Sequence, residues 1–164
     1  MKFNIFGRKK DKDIGKLLAE TPLFHDLSSK EIKYLKKIVK TKDYEANDII
    51  FRKSDPGIGM HIILKGSVEI MVKNEKREPV ILAELGEKNF FGDVALLDES
   101  LRSANAIARE ATTLIELHRP DFVEILHTKP KTGIKILHSL SKIIVQRLRR
   151  TNSELIELKK QQSQ

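Results

Sequence analysis

Phe90-Phe91-Gly92-Asp93-Val94-Ala95-Leu96-Leu97, followed closely by Leu101-Arg102-Ser103-Ala104, is the stretch around which this chain of 164 residues is best read. Phe90 and Phe91 are core-sized, and Gly92 admits a backbone conformation that a Cβ obstructs. Asp93 stands where it would open a short helix, with Val94 to Leu97 as the apolar turn behind it. The first N–H groups of such a helix lack internal partners and lie at its positive end, so those of Val94 and Ala95 suit an anion. Arg102 brings a planar fork of donors matched to phosphate, and Ser103 adds a hydroxyl. Asp93, an acceptor beside that cradle, suits a sugar hydroxyl. Together these residues read both halves of a sugar phosphate. The bland alternative for the same residues is a surface loop in which Arg102 pairs with Asp98 or Glu99 and no ligand is held.

Outward from this segment the chain runs helices, strands, helices. Ile14 to Ala19 and Ile32 to Val39 carry apolar residues at helical spacing, and Ser28 with Glu31 three residues on forms a capping box for the second. From about Thr41 to Leu117, short β-branched or alternating runs follow one another: 49–51, 61–64, 68–72, 80–85, 104–108 and 113–117. Strands at that spacing predict a sandwich or barrel. Pro120 opens a helix to about His127, and Pro130 precedes the last one. The fold class expected is α+β.

The motifs resemble the phosphate-binding cassette of the cyclic-nucleotide-binding domain family, which includes the catabolite activator protein and the regulatory subunits of cyclic-AMP-dependent kinase. The family pattern is F-G-E, a small or aliphatic residue, A-L, a short spacer, then P-R, a small residue and A. Here it is Phe91-Gly92-Asp93-Val94-Ala95-Leu96 and Leu101-Arg102-Ser103-Ala104. Upstream, Asp55-Pro56-Gly57, His61 to Ile70 and Leu85-Gly86 are similar to the family's turn and strand-turn-strand signature. The resemblance covers roughly Leu23 to Asn152. It implies an antiparallel β-roll of jelly-roll type, flanked by N-terminal helices and a long C-terminal helix. It also implies that Arg102 and Ser103, with the N–H groups of Val94 and Ala95 after Gly92, hold a cyclic phosphate. Asp93 would take the ribose hydroxyl, and Leu82 and Leu85 would form part of the wall behind the base. Two positions depart from the family: Asp93 is one methylene shorter than its glutamate, and Leu101 replaces its proline. The implied ligand is a cyclic mononucleotide, cyclic AMP ahead of cyclic GMP, with a cyclic dinucleotide or a ligand-free scaffold as alternatives.

On the last helix, Leu137, Ser141, Ile144, Leu148, Thr151, Leu155 and Leu158 recur at spacings of four and three, the seam of a short two-stranded coiled coil. Ile136, Leu140 and Ile143 form a second stripe that would pack on the β-roll. A homodimer through residues 132–160 is therefore expected, against the bland alternative of a helix lying on its own domain. By resemblance, Thr151 and Asn152 stand where an adjacent Thr-Ser pair closes over the base in the catabolite activator protein. The division expected is a basic tail over 1–12, the nucleotide-binding-like domain over 13–131, the dimer or lid helix over 132–160 and a disordered end over 161–164. The winged helix-turn-helix of the family's transcription factors has no counterpart in the sequence. Direct DNA binding is thus not expected, and a separate effector protein is.

Composition narrows the function class. The chain has no cysteine, so neither a disulfide framework nor a thiolate site exists, in keeping with a cytoplasmic setting. No run approaches the ~20 apolar residues that span a bilayer. His25, His61, His118, His127 and His138 are scattered without metal-ligand spacing, and neither a G-x-S-x-G elbow nor a Walker loop occurs. Neither catalysis nor a metal is expected. The net charge of +8 points to acidic partners. Its lysine clusters are poor in aromatic residues and so offer no base-stacking platform.

Overall fold

The computed structural model describes residues 14–162; the basic tail expected over 1–12 lies outside them. Helix α1 occupies 14–20. A short 3-10 turn at Pro22–Phe24 leads to α2, Ser29–Leu35. The capping box that opens α2 is complete: Ser28 N–H donates to Glu31 Oε2 at 2.7 Å and Glu31 N–H to Ser28 Oγ at 3.4 Å. α2 stops at Leu35, short of the expected Val39. The N–H groups of Ile38 and Val39 turn back onto Leu35 O at 2.9 and 3.1 Å, and the next residues are drawn into a strand. Tertiary pairing overrides local helical spacing here.

Eight strands follow: β1 Lys40–Tyr44, β2 Ile49–Phe51, β3 Gly59–Lys65, β4 Val68–Lys73, β5 Pro79–Leu85, β6 Phe90–Phe91, β7 Asn105–Ala108 and β8 Thr112–His118. They make two antiparallel four-stranded sheets, one in the order β1-β8-β3-β6 and the other β2-β7-β4-β5. This is the α+β β-roll expected. The sequence pattern does not mark β1 and β6. β1 is a charged edge strand with only Tyr44 buried, and β6 is two residues long.

Tyr44, Ile63, Val68, Phe91, Ala106, Ala108 and Leu114 fill the space between the sheets. Met60, Ile62, Ile115 and Leu117, on the opposite face of β3 and β8, join a larger cluster. That cluster includes Leu18, Phe24, Leu35, Phe122 and Ile125 from the helices. β3 and β8 are therefore covered on both sides, which is why they read as near-continuous apolar runs. In the register, His61 faces both Glu116 of β8 and Phe91 of β6.

α3, Arg119–Thr128, and α4, Pro130–Gln162, complete the described chain. α4 starts at its proline and continues through Gln162, two residues into the end expected to be unstructured. Ile136 and Leu140 of the second stripe are fully buried, and they pack within the helix-lined cluster on the outer face of the first sheet. From Val145 onward every described α4 residue is exposed.

Candidate functional site

The Phe90–Ala104 segment folds as a strand, a tight turn and a loop returning to the roll. Gly92 has φ +70°, in the left-handed region, and a Cβ placed on it would lie 2.5 Å from Arg102 Nη1. Both the backbone conformation and the nearby guanidinium favour glycine here. A 3-10 turn, Asp93–Leu96, follows. It is the short helix expected, in 3-10 form, and Ala95 N–H closes the turn on Gly92 O at 3.2 Å.

Arg102 is only 7% exposed. Its Nη2 donates to Gly59 O at 2.7 Å and its Nη1 to Gly92 O at 3.2 Å. Its Cζ lies 4.2 Å over the ring of Phe51, and its Nε is buried with no hydrogen-bond partner. The guanidinium is thus held by carbonyl dipoles and an aromatic face rather than by a carboxylate. Burial lowers its pKa from the ordinary value, with Asp55 acting in the opposite sense. The acids expected in the bland alternative have other partners: Glu99 accepts from Arg119 at 2.8 Å, and Asp98 from Ser100 at 2.6 Å. The backbone of Arg102 is pinned to the Asp55 turn, through Arg102 N–H on Asp55 O and Ser54 N–H on Arg102 O, both at 2.8 Å. Leu101, where the family has proline, sits in a β-bridge with Pro56.

Asp93 is also buried, and both of its carboxylate oxygens accept from Nη1 of Arg147, at 2.8 and 2.9 Å. Arg147 comes from α4, half-exposed, with its Cζ 5.1 Å above the Phe90 ring. Sequence reasoning did not assign this pair. A buried carboxylate calls for a cation, but Arg147, Arg149 and Arg150 are equivalent as residue types and only the rotation of α4 selects among them.

The family of the cyclic nucleotide-binding domain matches residues 41–129. The chain belongs to that family. The cyclic AMP receptor protein of Thermus thermophilus is 31% identical over 82% of this chain and 61% of its own length. The crystal structure of the Thermus thermophilus catabolite activator protein superposes with a TM-score of 0.76 at 31% identity, covering 84% of this chain and 62% of that one. The regulatory domain of Toxoplasma gondii PKA, co-crystallised with cAMP, shares the fold, with a TM-score of 0.67 at 24% identity over 76% of this chain and 46% of that one. This cyclic-nucleotide-binding domain thus spans less than two thirds of the length of these relatives.

Within the domain, the turn joins Gly92, Asp93, Val94 and Ala95, and Arg102 donates to the carbonyl of Gly92, the residue beside Asp93. Ser103 is exposed next to Arg102. Leu85 is half-buried against the inner core, whereas Leu82 is 57% exposed on β5. Thr151 and Asn152 are exposed on α4, about one turn beyond Arg147. Behind the cassette lies a buried polar cluster. His61 stacks on Phe91 at 5.1 Å, and its Nε2 is 3.6 Å from Glu116 Oε1. Glu116 also meets His118 at 3.3 Å and Tyr44 at 3.4 Å. Burial pushes His61 down to about 3, reinforced by the positive charge of Arg102. Among the described residues, no cluster of His, Asp or Glu is arranged to hold a metal ion. No described helix is long and apolar enough to cross a membrane.

Proposed function

We propose that this chain senses a 3′,5′-cyclic mononucleotide, cyclic AMP ahead of cyclic GMP, and passes the signal to a separate protein. The observation that carries this is Arg102. A guanidinium that is nine-tenths buried, has no carboxylate partner and has an orphaned Nε is costly to keep. An incoming phosphate supplies the missing counter-charge. The residues fit such a ligand. Arg102 and Ser103 would hold the phosphate with the Val94 N–H; Ala95 N–H, directed to Gly92 O, would have to be shared. Asp93 would take the ribose hydroxyl while keeping Arg147, since a carboxylate offers about four lone-pair sites. Leu85, with Leu82 at the rim, would back the base, and Thr151 and Asn152 would approach it from α4.

The reading includes a homodimer through α4. Leu148, Leu155, Ile156 and Leu158 are each about half-exposed or more, and an apolar recess of about 520 Å³ between Leu97 and the Ile134–Val145 face of α4 continues that surface. Both are the kind of surface a second copy covers. The setting proposed is the cytoplasm, and the role is regulatory rather than catalytic. A thermal-shift panel of cyclic AMP, cyclic GMP, 2′-deoxy cyclic AMP and cyclic dinucleotides tests the ligand, because a bound ligand raises stability by mass action. Stabilisation by cyclic AMP above its 2′-deoxy analogue supports the assignment of Asp93. Stabilisation by dinucleotides alone selects the other ligand class, and no shift with any of them removes the sensing role.

A further inference from the structure

At the end of the molecule where α1 meets α2 there is a groove of about 330 Å³, away from every cassette residue. Its floor is Ala19, Leu27 and the buried Ile32, and Gly15 leaves one side open. Its rim carries Lys16, Lys33 and Lys36, and among the described residues no acidic one lines it. The nearest acid on α1, Glu20, is engaged by Lys88 at 2.9 Å and Lys16 at 3.7 Å. We propose that this groove docks an acidic amphipathic helix of a partner protein, with apolar side chains on the floor and carboxylates against the lysine rim.

Charge and shape choose this occupant. An apolar floor within a cationic rim matches a helix that is apolar on one face and acidic on the other. Single-stranded nucleic acid is held on aromatic stacking surfaces, and the described lining of the groove has none. A membrane surface is broad and flat, and cannot fill a concave recess. Docking here requires nothing of the nucleotide pocket.

The test is a nuclear magnetic resonance titration of the ¹⁵N-labelled full chain with a synthetic helical peptide bearing leucines on one face and glutamates on the other. The expected result is saturable shifts at the Gly15, Ser29 and Lys33 amides, none at Gly92 or Ser103, and none with a leucine–lysine peptide. Lys33→Glu, which reverses the rim charge, and Ala19→Gln, which fills the exposed floor, should each weaken binding about tenfold. Lys76→Glu, in the distant β4–β5 turn, should leave it unchanged. Absence of saturable shifts, equal response to both peptides, or indifference to Lys33→Glu and Ala19→Gln would overturn the proposal. So would groove shifts produced by phosphatidylglycerol vesicles but not by the acidic peptide. Binding of cyclic AMP is measured separately, so either result stands without the other.

Discussion

At the scale of single residues, the cassette depends on Gly92 and on the polar groups packed behind it. Gly92→Ala forces a Cβ into a left-handed conformation and against the Arg102 fork. It should cost about 1–2 kcal/mol in urea unfolding, where the backbone strain is read directly. Nucleotide affinity should fall with it, since the fork must move. His61 sets a pH dependence. The folded chain keeps it neutral down to about 3, while the unfolded chain protonates it near its ordinary 6.5. Stability from this group is therefore complete above about pH 6.5 and declines toward pH 3, at up to about 1.4 kcal/mol per unit. His61→Phe, which retains a ring beside Phe91, should flatten that slope in denaturant unfolding followed between neutral and mildly acidic pH. An unchanged slope would place the acid sensitivity elsewhere. The residue types of the site are legible in the sequence because Gly92, Asp93 and Arg102 lie within one short segment. Phe51 beneath Arg102, the Gly59 carbonyl and Arg147 on Asp93 are not, because each arrives from a distant element and only packing brings it there.

Among the elements, α2 and α4 are tied by Glu31. Its carboxylate closes the α2 capping box and also accepts from Thr132 Oγ1 at 3.0 Å and Lys135 Nζ at 2.8 Å. Lys135 above all, then Ser28 and Thr132, holds its pKa down to about 2 against the opposing effect of burial. A depressed acid stabilises the fold above the unfolded value near 4.5, and that contribution is lost as pH falls toward 2. Lys135 is 41% exposed, so solvent screens much of the interaction. Glu31→Gln should therefore cost about 1–2 kcal/mol at neutral pH, and the difference from wild type should close as pH approaches 2. A gap that persists in acid would assign the loss to packing. The capping box was readable from Ser28 and Glu31 alone, as were the helix starts at Pro120 and Pro130. The early end of α2 and the strand β1 were not. Lys40 to Tyr44 carries charges where a strand pattern would alternate, and its partner β8 lies some seventy residues away in the sequence.

For the whole molecule, α4 both reaches Asp93 through Arg147 and leaves its second half exposed. In the proposed dimer that half lies between two copies, and Leu148→Glu, at a position 59% exposed on one copy, puts an unpaired charge into the seam. Analytical ultracentrifugation should then give a dimer for wild type and a monomer for the variant, whereas a monomeric wild type at tens of micromolar would leave α4 packed on its own domain alone. The β-roll around the site could be anticipated from strand spacing together with the cassette resemblance. The contact of Arg147 with Asp93 could not, because it depends on the rotation of a long helix about its axis. In the proposed function, the buried, uncompensated charge of Arg102 is met by a phosphate. Isothermal titration of cyclic AMP into wild type, Arg102→Lys and Arg102→Ala addresses it directly. The expected result is saturable binding by wild type, a loss of about 2–5 kcal/mol in Arg102→Ala and partial recovery in Arg102→Lys, which keeps the charge without the fork. Equal affinity across all three proteins, each shown to be folded, would contradict it.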